Sequence, residues 1–295
     1  MMSTTPEGSG STVPRRQLGR RLRALRTERG LRADEVSAAI DVSRQSLWRM
    51  ENGDSSVKYG RSHIEALCRL YKVDEATRDG LVSLAAETKN KGWWHAFSDV
   101  LMEKYEIYVS LEAAASRMRW FNAQLVLGLF QTPDYARQII GAKYSGEELE
   151  RLIEVRMARQ AILTRTSPPA LQLDAVLDEA VLHRPIGNPA LMAAQLRHLV
   201  RMSHLPNVSI RIVPFAFGMH AGLNTAAFSI LDFPEGPQGN REPSVVMRDG
   251  FTGDLYLDRP AEVGEFSEAF DDIVDRSLNV ADSRMLLERM AKEFD

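Results

Sequence analysis

Between residues 15 and 88, apolar side chains recur at the three- and four-residue spacing of an amphipathic helix. The spacing predicts five short helices. Leu18, Leu22 and Leu25 form the seam of the first, which begins at Arg15 and meets its stop at Gly30. The second covers 33–40, with Val36, Ala39 and Ile40 on one face. Asp41-Val42 then makes a tight turn, and Ser43 is placed to cap a third helix, its hydroxyl accepting from an otherwise unpaired N–H. That helix runs from Arg44 to about Glu51 with Leu47 and Met50 inward. It ends at Asn52-Gly53, a pair suited to left-handed backbone. Residues 61–72 and 75–87 complete the set, with Ile64, Leu67, Leu70, Leu81 and Leu84 inward. Residues 1–14 are Ser, Thr, Gly and Pro with almost no apolar side chains, and are expected to be a disordered tail.

The pattern changes after 88. Residues 89–108 read as a linker whose Trp93-Trp94 docks on the following domain, which spans 109–295. There the helices come first. One begins near Val109 and carries Leu111, Ala114, Ala115, Met118 and Phe121; another is capped by Thr132 with Pro133 at its first position; a third starts at Ser145. ALQLDAVLDEAVLHRPIGN reads as a strand and a short helical turn, and 189–203 as a helix. Strand signals follow. VSIRIVPF (208–215) alternates cleanly, and AAFSILDF (226–233), SVVMRD (244–249) and DLYLD (254–258) are separated by turns such as PEGPQGNREP. Helices over 260–276 and 280–293 close the chain. The expectation is two domains: an all-α five-helix domain over 15–88, then an α+β domain with a small, mostly antiparallel sheet.

Charge separates the halves. The net charge is −3, but residues 1–91 carry 17 basic against 12 acidic side chains, and the remainder 20 against 28. Residues 15–32 hold eight arginines and one acid, Glu28. A basic front on an acidic body points to an anionic partner for the front. The second and third helices, joined by a short turn, have helix-turn-helix form. The third projects Arg44, Gln45, Trp48 and Arg49 away from Leu47 and Met50. Arg can bond both acceptors of guanine, and Gln matches the acceptor–donor pair of adenine.

The stretch LRTERGLRADEVSAAIDVSRQSLWRMENG resembles the phage-repressor (Cro, or xenobiotic-response-element, XRE) helix-turn-helix family, most specifically over VSRQSLWRMENG. The resemblance implies double-stranded DNA as the partner. It places Ser43, Arg44, Gln45 and Arg49 on base- or phosphate-contacting positions and Asn52 beside the DNA backbone. Where the family usually has Gln early in the second helix, this chain has Ala33-Asp34-Glu35, and Arg32 or Lys58 is the candidate replacement. Arg16 and Arg20 are further candidates for phosphate contact. Two or three base contacts at about 1–3 kcal/mol each barely reach the ~4–10 kcal/mol that a specific site needs. A homodimer on a two-fold related operator is therefore expected.

The later segments resemble, in order, actinobacterial WhiJ-like regulators, also described as antitoxin-like. The matching pieces are SLEAAASRMRWF, GLFQTPDYAR, LDEAVLHRPIG, VSIRIVPF and AAFSILDF. Leu127 and Phe130 stand where that family usually has Pro and Leu. The resemblance implies partnership with a small, often acidic protein encoded beside the regulator gene.

Signs of catalysis are weak. No HExxH, G-x-S-x-G, P-loop or Rossmann glycine pattern occurs, so neither enzyme activity, a metal nor a cofactor is expected; a DNA-tethered enzyme is the remote alternative. Asp178-Glu179 is read as a cap paired with Arg184. The loop PFAFGMHAGLNTAAF, with Phe215, Phe217, Met219 and His220, suits an apolar plug, a small-molecule pocket or a partner-docking surface. Cys68, the single cysteine, excludes an internal disulfide and is read as a core residue. No apolar run approaches the ~18 residues of a membrane span, and the first residues lack the apolar segment of a secretory signal. A cytoplasmic, nucleoid-associated protein is expected.

Overall fold

The computed structural model describes residues 12–54, 56–88, 103–235, 242–248 and 255–295. They fall into two compact units. The helices up to residue 88 group with Tyr105–Ala114 and Glu242; Ala115–Phe233 and Pro243–Asp295 form the other unit. Trp93-Trp94 and most of the expected linker lie outside the described residues.

The first unit is built from α1 (Thr12–Glu28), α2 (Ala33–Ala39), α3 (Arg44–Glu51), α4 (Arg61–Leu70) and α5 (Glu75–Glu87). Helix α1 starts three residues ahead of the expected Arg15. Local chemistry sets the breaks. Gly30 (φ 66°), Asp41 (φ 54°) and Gly53 (φ 67°) reverse the chain in the left-handed region. The hydroxyl of Ser43 accepts from Ser46 N at 3.0 Å, and Asp74 accepts from Thr77 N at 2.7 Å. Leu18, Leu22, Val36, Leu47, Met50, Ile64, Leu67 and Leu81 meet in one core, with Cys68 among them. Burial raises the Cys68 thiol pKa, as suits a packing residue.

Two glycines let the backbones of α1 and α3 approach. A Cβ on Gly19 would lie 2.5 Å from the Met50 carbonyl oxygen, and one on Gly53 would lie 2.8 Å from the Arg16 Cα. Gly53→Ala therefore combines left-handed strain with a backbone clash, and is expected to cost more than the ~1–2 kcal/mol of left-handed strain alone. Gly30→Ala, left-handed with open space around it, should cost only that strain. Urea unfolding of the two variants, followed by circular dichroism, tests the order.

The second unit carries a six-stranded sheet in the order β3-β2-β1-β4-β5-β6. The strands are β1 (Arg117–Asn122), β2 (Gln172–Asp178), β3 (Val208–Val213), β4 (Phe228–Asp232), β5 (Val245–Arg248) and β6 (Leu255–Leu257). The α+β expectation holds for this part, but the sheet has six strands and is mixed, with two of its five pairings parallel. β1, β2 and β3 pair in parallel, with Trp120 opposite Ala175 and Ala175 opposite Ile210. β4, β5 and β6 add antiparallel to the β1 edge. The helix expected from Val109 through Phe121 also needs correcting. Helix α6 (Glu103–Ala114) stops short, and the chain continues as β1. Met118, Trp120 and Phe121 are all buried. A central strand covered on both faces loses the polar–apolar alternation by which a strand is recognised.

Parallel pairing requires long crossovers. Helices α7 (Pro133–Gly141) and α8 (Gly146–Arg159) connect β1 to β2; α9 (Ala180–His183) and α10 (Pro189–Met202) connect β2 to β3. Thr132 caps α7 as expected, accepting from Tyr135 N, whereas Ser145 makes no side-chain cap bond at α8. One sheet face, with Phe121, Val176, Val213, Phe228, Ile230 and Val246, packs on Phe270 and Ile273 of α12 (Pro260–Asp275). Helix α13 (Val280–Glu293) lies along α10 and β3.

Candidate nucleic-acid interface

Helix α3 is amphipathic in the sense the sequence requires. Leu47 and Met50 are buried, while Arg44, Gln45 and Trp48 are exposed, Trp48 to 61%. These three and Asn52 occupy neighbouring turns of one exposed face. The Asn52 amide donates to the Trp48 carbonyl at 2.7 Å and closes the helix. Ser43, the first exposed residue of this face, is occupied as the cap. Arg49 is half-buried and Lys58 is exposed on the loop that follows.

Buried polar contacts fix the helix. Glu51, only 6% exposed, takes both Nε (2.6 Å) and Nη2 (2.9 Å) of Arg26 on α1. Its hydrogen bonds raise the Arg26 pKa above the ordinary guanidinium value. Tyr59 donates to the Met50 carbonyl at 2.7 Å, and burial raises its phenol pKa. Arg15 donates to the Val57 carbonyl at 2.5 Å and sits over the Tyr59 ring.

Several arginines of the basic front therefore act inside the fold. Arg15 holds the loop after α3, Arg26 holds Glu51, and Arg29 donates to the Lys72 carbonyl. Arg16 and Arg20 both reach Glu242, at 3.5 and 3.1 Å; the Glu242 side chain is 2% exposed. Arg32 completes a capping box with Glu35 at the start of α2. Apart from Glu35, these partners lie 25 or more residues along the chain, so charge density alone could not reveal them. Arg44, like Arg32, reaches solvent, and its side-chain partner is the exposed Asp34, at 3.2 Å.

In the second unit, the acidic pair finds partners other than Arg184. Asp178 accepts from Ala180 N at 2.8 Å and contacts His220 Nε2 at 3.2 Å. Glu179 accepts from Phe215 N at 2.7 Å and faces His183 at 3.4 Å. His220 is buried, whereas Phe215, Phe217 and Met219 are exposed, so the loop is not simply a plug. Among the described residues, no helix is long and apolar enough to cross a membrane, and no group of three or more His, Cys, Asp or Glu could hold a metal ion.

A family model described as a domain of unknown function, DUF5753, matches residues 105–289, well over half of the chain. The chain belongs to the DUF5753 family. A second model, described as a helix-turn-helix domain, matches residues 17–81, the segment that contains α2, α3 and their turn. The DUF5753 match begins on α6 and takes in the whole mixed sheet. No curated protein and no solved structure matches the chain. The helix-turn-helix assignment and the exposed face of α3 together indicate a DNA-binding regulator.

Proposed function

We propose that this DUF5753 protein is a sequence-specific transcriptional regulator of the repressor-like, XRE type. It reads DNA with α3 as a cytoplasmic homodimer, and its C-terminal unit receives the signal. The observation that carries the reading is the exposed Arg44, Gln45 and Trp48 face, set on the buried Leu47 and Met50 and locked through Glu51 to α1. Arg44 and Gln45 lie in the first turn, the part of a recognition helix that reaches the groove floor. Arg49, Asn52, Lys58 and Arg32 supply the flanking phosphate contacts. Two copies are needed because one helix offers too few base contacts for a specific site.

For the signal, resemblance to WhiJ-like, antitoxin-like regulators supports a small acidic protein encoded by a neighbouring gene. A second reading, a small molecule, is favoured by the cavity beside His220. Retention of fragmented genomic DNA by the purified full-length protein tests DNA reading. A few retained sites sharing a short inverted repeat support a dimeric regulator; retention of random DNA only would overturn it. Sedimentation at micromolar concentration with and without a retained site tests the dimer, and a strict monomer in both would sink it.

Asp34 beside Arg44 gives a further expectation. Asp34→Asn removes a negative charge next to the reading face, and with it a repulsion felt by the phosphates of any DNA bound there. Affinity for all DNA should rise several-fold, most at low salt, where this repulsion is least screened. Anisotropy titrations at several salt concentrations measure both.

A further inference from the structure

The connection from β3 to β4 has an unusual task. In the order β3-β2-β1-β4, it must pass over the ends of β2 and β1, roughly 14 Å at three interstrand spacings. Because β1, β2 and β3 are parallel, it passes over their carboxyl ends, the position where open α/β sheets bind ligands. The chain does this with a short turn at Phe215–Phe217 and α11 (Gly222–Thr225). Two hydrogen bonds pin it: Phe215 N donates to Glu179, and Ala221 N donates to Asp272 at 2.9 Å. The Ala221 bond, with help from Arg276, lowers the Asp272 pKa. Gly218 (φ 68°) and Ala226 (φ 58°) take left-handed backbone within and at the end of the loop. Such backbone in a non-glycine residue concentrates at ligand clamps.

Beneath this loop is a cavity of about 330 Å3. Its walls come from all three strand ends, Ala123 after β1, Asp178 and Ala180 at β2 and Pro214 after β3, and from His220 and Leu223 of the loop, and it is partly open to solvent. The lining is mostly apolar, with Asp178 and His220 as its polar side chains. His220 is 4% exposed, and its ring lies edge-on to Phe121 at 5.6 Å. Its Nε2 is engaged by Asp178, while its buried Nδ1 has no hydrogen-bond partner among the described residues. An unmet buried polar atom costs stability unless something fills it. At the mouth, Phe215 and Leu223 are more than half exposed, with relative exposures of 59 and 54%. Phe215 stacks on His183.

We infer that this cavity is a small-molecule site for an apolar compound of one or two rings that presents a hydroxyl or N–H donor to His220 Nδ1. The donor class follows from the pair. The Asp178 carboxylate only accepts, so Nε2 carries the proton, and in neutral imidazole Nδ1 is then an acceptor. The size follows from the volume: benzene fills an apolar cavity of about 150 Å3, so roughly twice that admits one or two rings. The exposed Phe215 and Leu223 at the mouth supply the apolar cover. The inference deepens the small-molecule reading of the C-terminal unit. Its test contains no DNA, so its failure is separable from failure of DNA reading.

The probes are phenol, toluene of matching shape without the donor, and benzoate, used with the full-length protein. Ligand-observed saturation-transfer NMR and thermal melting should show phenol binding about tenfold more tightly than toluene, with benzoate weaker than phenol. Ala123→Phe, which fills the cavity and leaves Asp178 and His220 in place, should abolish the phenol signal while the circular dichroism spectrum is unchanged. No phenol binding, or equal binding by the Ala123→Phe variant, would remove the site. Equal affinity for toluene, or preference for benzoate, would overturn the donor class without reference to any variant.

Discussion

Arg44→Ala is expected to lower affinity for the protein's selected DNA site by fivefold to 150-fold, which corresponds to ~1–3 kcal/mol for one good bidentate base contact. The loss should be confined to the preferred site, so base preference relaxes at one position of each half-site and binding to random DNA changes little. Arg44 is the first residue of α3, 74% exposed, and its side-chain partner is the similarly exposed Asp34. Exchanging a solvated surface ion pair for a dry bidentate contact to guanine is favourable, because exposed pairs contribute only ~0–1 kcal/mol. Gln45→Ala should behave alike at the adjoining base. Selection of binding sites by each variant from a randomised library, followed by anisotropy titration, separates a change of preference from a general weakening. If Arg44→Ala kept the wild-type preference, α3 would not present this face to the bases.

Glu51→Ala should be the most damaging single change to the first unit. The carboxylate is buried and holds Arg26 through two hydrogen bonds, and Arg26 itself is largely covered. Removing it strands a guanidinium between α1 and α3. Breaking a buried pair from one side costs about 3–5 kcal/mol, and the low end applies because Arg26 keeps some contact with water. Amide exchange of α1 and α3 should accelerate on the order of 100-fold, and DNA binding should fall for every sequence alike. The double variant Arg26→Met/Glu51→Leu should recover most of the protection, since paired apolar replacements avoid the stranded charge. Failure of that recovery, with the single variant unfolded, would mean that the pair sets geometry that packing alone does not.

These two expectations draw on different sources. The exposed face of α3 was legible from local rules. Ser43 caps, Leu47 and Met50 turn inward at helical spacing, and Gly53 reverses the chain; each signal acts within one or two turns. The same holds for Thr132 before α7 and Asn188 before α10, whose side chains accept from the N–H three residues on. The clean alternation of VSIRIV marked β3 for a similar reason.

Local patterns along the chain already set the helices of the first unit, the buried and exposed faces of α3, the α+β character of the remainder and the interest of the loop around His220. Tertiary structure decided the rest. It made β1 a strand, because burial on both faces by distant elements erased the local period. It paired β1, β2 and β3 in parallel, since a crossover is set by what the helices cover and not by turn residues. It assigned Arg26 to Glu51 and both Arg16 and Arg20 to Glu242, partners 25 residues away or much further. It also brought Asp178 to His220 across 42 residues and opened the cavity between them and the strand ends. The physical division is one of range. Capping, helical period and backbone handedness are energies of neighbouring residues and can be read along the chain. Ion pairing, strand order and cavities depend on which surfaces the folded chain brings together.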